Sequence, residues 1–286
     1  MMNSKTLLIV TAHPDDETFG CGGVLAKYAS AGVRVYCACS TRGEAGTYEP
    51  ENMKGHATVG DMRWSEMECA ARTTGMAGIQ HLGYRDSGMP GSEDNKNPSA
   101  LINAPVEEVA ARIVKVIRDL KPQVIITSDP IGGYGHPDHI AVHKATVMAF
   151  DAAGDPAKFP ESGPPFKPQK LYYNVFPRNI LKLTVTLMPL FGQDPKHLGK
   201  NKDIDLASVA NVKFPIHARV HLTKQERSIR DKATECYVSQ LENRPKRRGL
   251  LDFLQRFSRD DIDMFMRAQP PANGRLKERD LFEGTT

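Results

Sequence analysis

The sequence predicts an α/β fold, a mostly parallel sheet with helices on both faces. Through the first 150 residues, short apolar runs alternate with amphipathic stretches of helical length, the pattern of successive βαβ units. The runs are apolar throughout, as strands covered on both faces must be. The densest clusters of charge follow two of these runs directly, where a doubly wound sheet keeps its ligands. Together these features predict a Rossmann-like architecture.

Lys5 to Thr11 reads as the first strand, and Phe19 to Ser30 as a helix with Val24, Leu25 and Tyr28 on its inner side. Val33 to Cys39 is a second, β-branched strand, followed by a helix over Met62 to Thr73 and a short strand over Ile79 to Leu82. Val106 to Leu120 carries Val109, Ile113, Val116, Ile117 and Leu120 at helical spacing, and Pro122 ends the pattern. Gln123 to Thr127 is the next buried strand. Pro137 suits the first turn of a helix that continues through Val142, Ala145 and Val147.

Proline and glycine make Asp155 to Gln169 a connection, and Lys170 to Phe176 reads as a strand. The portion 177–286 is less regular, and the mixed segment 179–210 receives no assignment. Ile216, Ala218, Val220 and Leu222 alternate with polar residues as in a half-buried strand. Thr223 and Glu226 form a capping-box pattern opening a helix to about Gln240. The last 15 or so residues read as a polar tail. With no internal repeat, the whole chain, 1–286, is expected to form one domain.

With 40% hydrophobic and 25% charged residues, the composition is that of a soluble globular protein. No apolar run near the N-terminus approaches the roughly 20 residues of a membrane span, so a cytoplasmic chain starting at or near Met1 is expected. The net charge of +4 divides into −3 over residues 1–150 and +7 over 151–286. The excess peaks at Arg244-Pro245-Lys246-Arg247-Arg248, within a basic stretch to Arg256. Lacking interleaved aromatics, this stretch reads as solvated surface rather than a nucleic-acid site. Five cysteines at irregular spacing predict buried, reduced thiols.

The chemistry lies in the two charged clusters. The first, Ala12-His13-Pro14-Asp15-Asp16-Glu17, leaves the first strand; the second, His136-Pro137-Asp138-His139, follows the Gln123 to Thr127 strand after a glycine-rich excursion. Both should reach the same edge of the sheet, bringing together His13, Asp15, Asp16, His136, Asp138 and His139. Two imidazoles and a carboxylate are a common ligand set for a catalytic zinc ion, leaving a base and an oxyanion donor among the remainder. Alternatives stay open. The first cluster could be a solvated helix cap, or Asp15 and Asp16 the magnesium site of a phospho-receiver, which would leave His13 and the second cluster unused. His139 and His143, four apart, could also pair on a metal. Gly20-Cys21-Gly22-Gly23 lacks the spacing of a dinucleotide loop.

The two clusters, in this order, resemble the signatures of the PIG-L/LmbE family of metal-dependent N-deacetylases. Thr41-Arg42-Gly43-Glu44-Ala45-Gly46, Arg63 with Glu66, and Leu82-Gly83-Tyr84-Arg85-Asp86-Ser87-Gly88-Met89 extend the resemblance, the last being most similar to the branch that handles mycothiol and its precursor. The resemblance implies a zinc hydrolase, with ferrous iron as the other metal, that removes an N-acyl group, acetyl by preference, from an N-acetylglucosaminyl substrate. It implies His13, Asp16 and His139 as metal ligands and Asp15 as general base. His136 would stabilise the oxyanion as an imidazolium held by Asp138, and Tyr134 would be a mobile tyrosine reaching the intermediate. Glu44, Arg63 and Asp86 would bind sugar hydroxyls, or else form an ion-pair network bracing the loops.

Two further readings remain beside deacetylation, an amidase of a glucosaminyl-inositol thiol conjugate and a metal-retaining carbohydrate-binding protein without turnover. The expected partner is a small amino-sugar glycoside, with no nucleic acid and no membrane span. Segment 179–210 is available as a lid or as a homo-oligomer interface. Tyr237 stands where many members of the family carry a histidine.

Overall fold

The computed structural model describes residues 5–53, 55–175, 178–198, 205–241, 261–273 and 276–286. Strand β1 (Thr6–Thr11) is buried along its whole length. Alternate side chains leave it in opposite directions, Leu8 and Val10 into one core and Leu7 and Ile9 into the other, the two-residue period of a strand covered on both faces. Helix α1 (Asp16–Ser30) begins three residues before the position expected from its apolar spacing. Its first turn carries Asp16 and Glu17, acids that suit a helix N-terminus.

The chain continues through β2 (Arg34–Cys39), α2 (Val59–Thr74), β3 (Gly78–His81), α3 (Val106–Leu120) and β4 (Val124–Thr127). A short turn of helix, α4 (Gly132–Gly135), leads into α5 (Pro137–Ala152), whose first residue is the proline the sequence marked. Next come β5 (Lys170–Asn174), α6 (Arg178–Leu187), α7 (Leu206–Val209), β6 (Ala218–His221), α8 (Lys224–Glu235), α9 (Val238–Leu241) and β7 (Ile262–Gln269).

These strands form one seven-stranded sheet in the order β3-β2-β1-β4-β5-β7-β6. The five from β3 to β5 are parallel; β7 runs antiparallel to both β5 and β6. Residues of α1 and α2 cover one face, joined by Ala233 of α8, while α3 and α5 cover the other. The strand order reverses between β1 and β4, so the crevice beyond their carboxyl ends is the topological switch point. Both charged clusters open onto it.

The structure departs from the sequence reading in four places. Segment 179–210 contains α6 and α7 around a short 3-10 turn. Strand β7 was not foreseen, and the expected polar tail is packed: Leu281 and Phe282 are buried, and the Tyr28 hydroxyl accepts the Leu281 N–H and donates to Asp280 Oδ1, each at 2.7 Å. Buried Glu278 pairs with Lys170 (2.7 Å) and Arg267 (2.8 Å). Of the five cysteines only Cys21, Cys37 and Cys39 are buried thiols; Cys69 and Cys236 form a disulfide joining α2 to the end of α8, with Cα atoms 5.8 Å apart. A pairing 167 residues apart leaves no mark in local spacing. The basic stretch 244–256 lies outside the described residues. No described helix is long and apolar enough to cross a membrane.

Candidate active site

Asp15 is the N-cap of α1, with φ at 112°, a backbone conformation that costs a non-glycine residue on the order of 1–3 kcal/mol. Three contacts hold it there: Glu17 Oε2 accepts the Asp15 N–H at 3.1 Å, and Arg63 Nη2 donates to Pro14 O at 2.7 Å and to Asp15 Oδ2 at 3.0 Å. Arg63 is 4% exposed and also donates to Gly43 O. Its guanidinium fills the space a side chain at residue 43 would need, which accounts for that glycine. Burial pushes Asp15 up to about 7, against the pull of Arg63. A carboxylate poised there suits a general base near neutral pH.

The adjacent Asp16 faces the opposite way. Its carboxylate lies 3.2 Å from His139 Nε2 and 3.6 Å from His13 Nδ1, and those two nitrogens are 3.3 Å apart. Donors 2.0–2.1 Å from a tetrahedral ion are separated by about 3.3–3.4 Å. The three side chains therefore fit one divalent ion in chemistry and in spacing. His13 also belongs to two other compact groupings of potential donors, one with His136 and His139 and one with Asp86 and Asp138. Against the effect of burial, the imidazoles of His139 and His13 hold Asp16 well below the usual carboxylate range.

The other nitrogen of His13, Nε2, is 3.1 Å from Asp138 Oδ2 and 3.4 Å from Asp86 Oδ1. A carboxylate behind a ligating histidine fixes its tautomer and raises its basicity. Burial opposes it, but Asp86, Asp138 and Asp16 raise His13 well above its ordinary value. Asp138 also accepts the Ser87 N–H at 2.9 Å, and its second oxygen has no partner among the described residues.

The second cluster folds as its sequence demands. His136 caps α5, its Nδ1 accepting the Asp138 N–H at 3.2 Å, so the ring is neutral with its proton on Nε2. Burial, with His13 and His139 nearby, pushes it down to about 2. The expected imidazolium held by Asp138 is thereby replaced by a neutral donor, while the Asp138 carboxylate serves His13 instead. Tyr134 sits among positive-φ glycines 132, 133 and 135, its ring 5.6 Å from that of His139 and 5.9 Å from that of His136.

On the β2 and β3 side, Glu44 Oε2 accepts the Asp86 N–H at 3.0 Å, and Asp86 accepts the N–H groups of Gly88 and Ala45. Arg63 braces Asp15, Pro14 and Gly43 and makes no direct ion pair with Glu44 or Asp86 among the described residues. His143 does not join His139; its Nδ1 is 2.9 Å from Ser128 O. Asp15 and Asp16 diverge onto different partners, unlike two carboxylates sharing a magnesium ion.

Two supporting residues carry no role in the sequence reading. Glu17 is fully buried and accepts from the Tyr237 hydroxyl, the Thr18 hydroxyl and the Asp15 N–H. Glu66, one turn beyond Arg63, accepts from both the backbone and the hydroxyl of Ser239. The signal for Glu17 was its helical register with Cys21, Val24 and Tyr28, which puts a carboxylate on the inward face of α1.

A model of the GlcNAc-PI de-N-acetylase family, PIG-L, matches residues 8–150. The chain belongs to this family. A 1D-myo-inositol 2-acetamido-2-deoxy-alpha-D-glucopyranoside deacetylase of Geodermatophilus obscurus is 35% identical over 83% of the chain and 85% of that protein. One of the same description from Streptomyces scabiei is 43% identical over 61% of the chain and 57% of its own length. Among solved structures, the N,N'-diacetylchitobiose deacetylase of Pyrococcus horikoshii matches with a TM-score of 0.59 at 18% identity, covering 93% of this chain and 84% of that one. This PIG-L protein therefore shares the fold of such deacetylases.

Proposed function

We propose that this PIG-L protein is a metal-dependent N-deacetylase of a 2-acetamido-2-deoxyglucosyl inositol, the substrate that names its relatives. The observation that carries the reading is the spacing of His13, Asp16 and His139, at 3.2–3.6 Å from one another, with the Asp15 carboxylate on the adjoining residue. These three residues would hold the ion, and two imidazoles with one carboxylate suit zinc or ferrous iron. The ion would supply Lewis acidity toward the amide carbonyl and lower the pKa of water.

Asp15 takes the proton from the attacking water and returns it to the amide nitrogen as the C–N bond breaks, releasing the free amine and the carboxylate. Arg63 with Glu17 keeps the Asp15 carboxylate aimed while the backbone is strained. His136, neutral with its proton on Nε2, donates to the oxygen that gains charge at the tetrahedral carbon. Tyr134, on its glycine-flanked turn, offers a second hydroxyl donor on the same side. Asp138 and Asp86 hold His13 in one tautomer. Glu44 and Asp86 keep acceptor capacity on the β2 and β3 side for the sugar hydroxyls.

The test is release of free amine from N-acetylglucosaminyl inositol and from N-acetylglucosamine, with metal-stripped protein and after restoring zinc or iron. Metal-dependent turnover supports the reading. Stoichiometric metal binding with no turnover of either compound would overturn it in favour of a carbohydrate-binding protein.

A further inference from the structure

The crevice at the switch point has two arms that diverge from the metal-ligating residues. One, over β2 and β3, carries Glu44, Arg63 and Asp86. The other runs over β1, β4 and β5 as a cavity of about 270 Å³, which shares Asp15, Asp16, His139 and Tyr134 with the site but is not lined by Glu44, Arg63 or Asp86. Its remaining wall includes Phe19, Gly20, Cys21, Ile126 and Asn174.

The threonines and Asp129 of this second arm already have partners. Thr127 Oγ1 donates to Val10 O at 3.1 Å, Thr11 Oγ1 lies 3.6 Å from Cys37 Sγ, and Asp129 Oδ1 accepts the N–H groups of Ile131 and Gly133. Burial pushes the Cys21 thiol well up, so it remains a neutral, apolar wall. Sugar hydroxyls placed here would lose water for few new hydrogen bonds, whereas methylenes would lose nothing. Gly20 keeps the arm open, because a Cβ there would stand 2.5 Å from Asn174 Nδ2.

We propose that this arm is an acyl pocket built for a chain longer than acetyl, an unbranched apolar acyl group of about four to six carbons. The inference rests on the deacylase reading of the same site. With the amide carbon at the metal-ligating residues, the amine side extends toward Glu44 and Asp86, and the acyl side extends toward Phe19 and Asn174. A methylene takes about the volume of a water in the liquid, roughly 30 Å³. The four that separate hexanoyl from acetyl therefore need about 120 Å³, well within the cavity. An acetyl group would leave most of the arm unfilled.

The test compares N-acetyl-, N-butyryl- and N-hexanoylglucosaminyl inositol on the metal-loaded protein. Burial of each added methylene is worth about fourfold, so kcat/KM should rise about tenfold or more from acetyl to butyryl and not fall at hexanoyl. Gly20→Val, which narrows the arm, should lower the ratio of hexanoyl to acetyl turnover by at least tenfold. Inhibition by the free carboxylates gives a readout on the unaltered chain, with Ki falling from acetate to butyrate to hexanoate. Turnover of the acetyl compound with tenfold or greater loss at butyryl, and no tightening of Ki, would overturn the acyl pocket while leaving the deacetylase reading intact. No turnover of any member by metal-loaded protein would overturn both.

Discussion

The two halves of the chain contribute differently to the site. Residues before Ala153 supply every side chain proposed to hold the metal, act as base or face the sugar, and apart from Arg63 on α2 all of them follow the ends of parallel strands β1 to β4. Residues after it supply buttresses. Tyr237 donates to Glu17, Ser239 donates to Glu66, and Asp263 accepts the Val24 N–H at 2.8 Å; among the described residues only Asn174 reaches the crevice wall. Chemistry gathers where strand order reverses, because all the parallel strands end on one side there. The antiparallel additions extend the sheet away from that point, so they act on the reaction only through the residues they hold.

Substitutions within the first half should have the largest effects. His139→Ala removes one of three donors and should abolish stoichiometric metal binding and lower kcat/KM on the order of 10⁴-fold; metal analysis and amine release check both. Asp15→Asn should retain metal yet lose 10²- to 10⁴-fold in kcat, the usual contribution of a positioned base. Full activity in Asp15→Asn would move the base elsewhere. Next in size is a pH effect. Because His13 is raised well above its ordinary value, a proton competes with the ion over the neutral range. Metal affinity should therefore tighten as pH rises through the neutral range, with release of a proton. The metal-free protein should show the opposite trend, since a raised histidine stabilises the fold fully below its unfolded pKa of about 6.5 and progressively less as pH rises above it.

The same division governed what was legible in the sequence. Strands β1, β2 and β4 are continuous apolar runs, and the motifs follow two of them directly, so the fold of the first half and the proximity of His13, Asp16 and His139 could be read from order alone. The partner of each motif residue could not. Asp138 follows His136 by two positions yet serves His13, because opening α5 commits the Asp138 backbone to His136 and leaves the carboxylate free to face β1. The family resemblance implies Arg63 as a sugar-binding residue, but its place beneath Pro14 and Gly43 is set by tertiary packing. In the second half, β7 (IDMFMRAQ) mixes polar and apolar residues without a clear period, as an antiparallel strand between β5 and β6 can. Its identity depends on partners distant in sequence. The packed tail was missed for a related reason: Leu281 and Phe282 are only two apolar residues in polar surroundings, and Tyr28, far away, decides that they are buried.

The buttressing half should yield smaller effects on catalysis than on stability. Tyr237→Phe deletes one donor to a buried carboxylate, a change typically costing about 1–3 kcal/mol of stability. Its kcat/KM should fall less than tenfold, because Arg63 still orients Asp15. The smallest catalytic effect is expected at the disulfide. The Cys69–Cys236 bridge ties α2 to the segment carrying Tyr237 and Ser239, closing a separation of 167 residues. Opening a loop of that size typically costs about 2–4 kcal/mol. None of that cost falls on the residues proposed to hold the metal, which follow β1 (His13) and stand on α1 (Asp16) and α5 (His139). Treatment with a dithiol should therefore lower Tm by several degrees while metal stoichiometry stays at one and kcat/KM stays within about twofold. A reduced protein that kept its Tm but lost turnover would show that the second half tunes the chemistry directly, through the Tyr237 to Glu17 contact, and would dissolve the distinction between site and buttress.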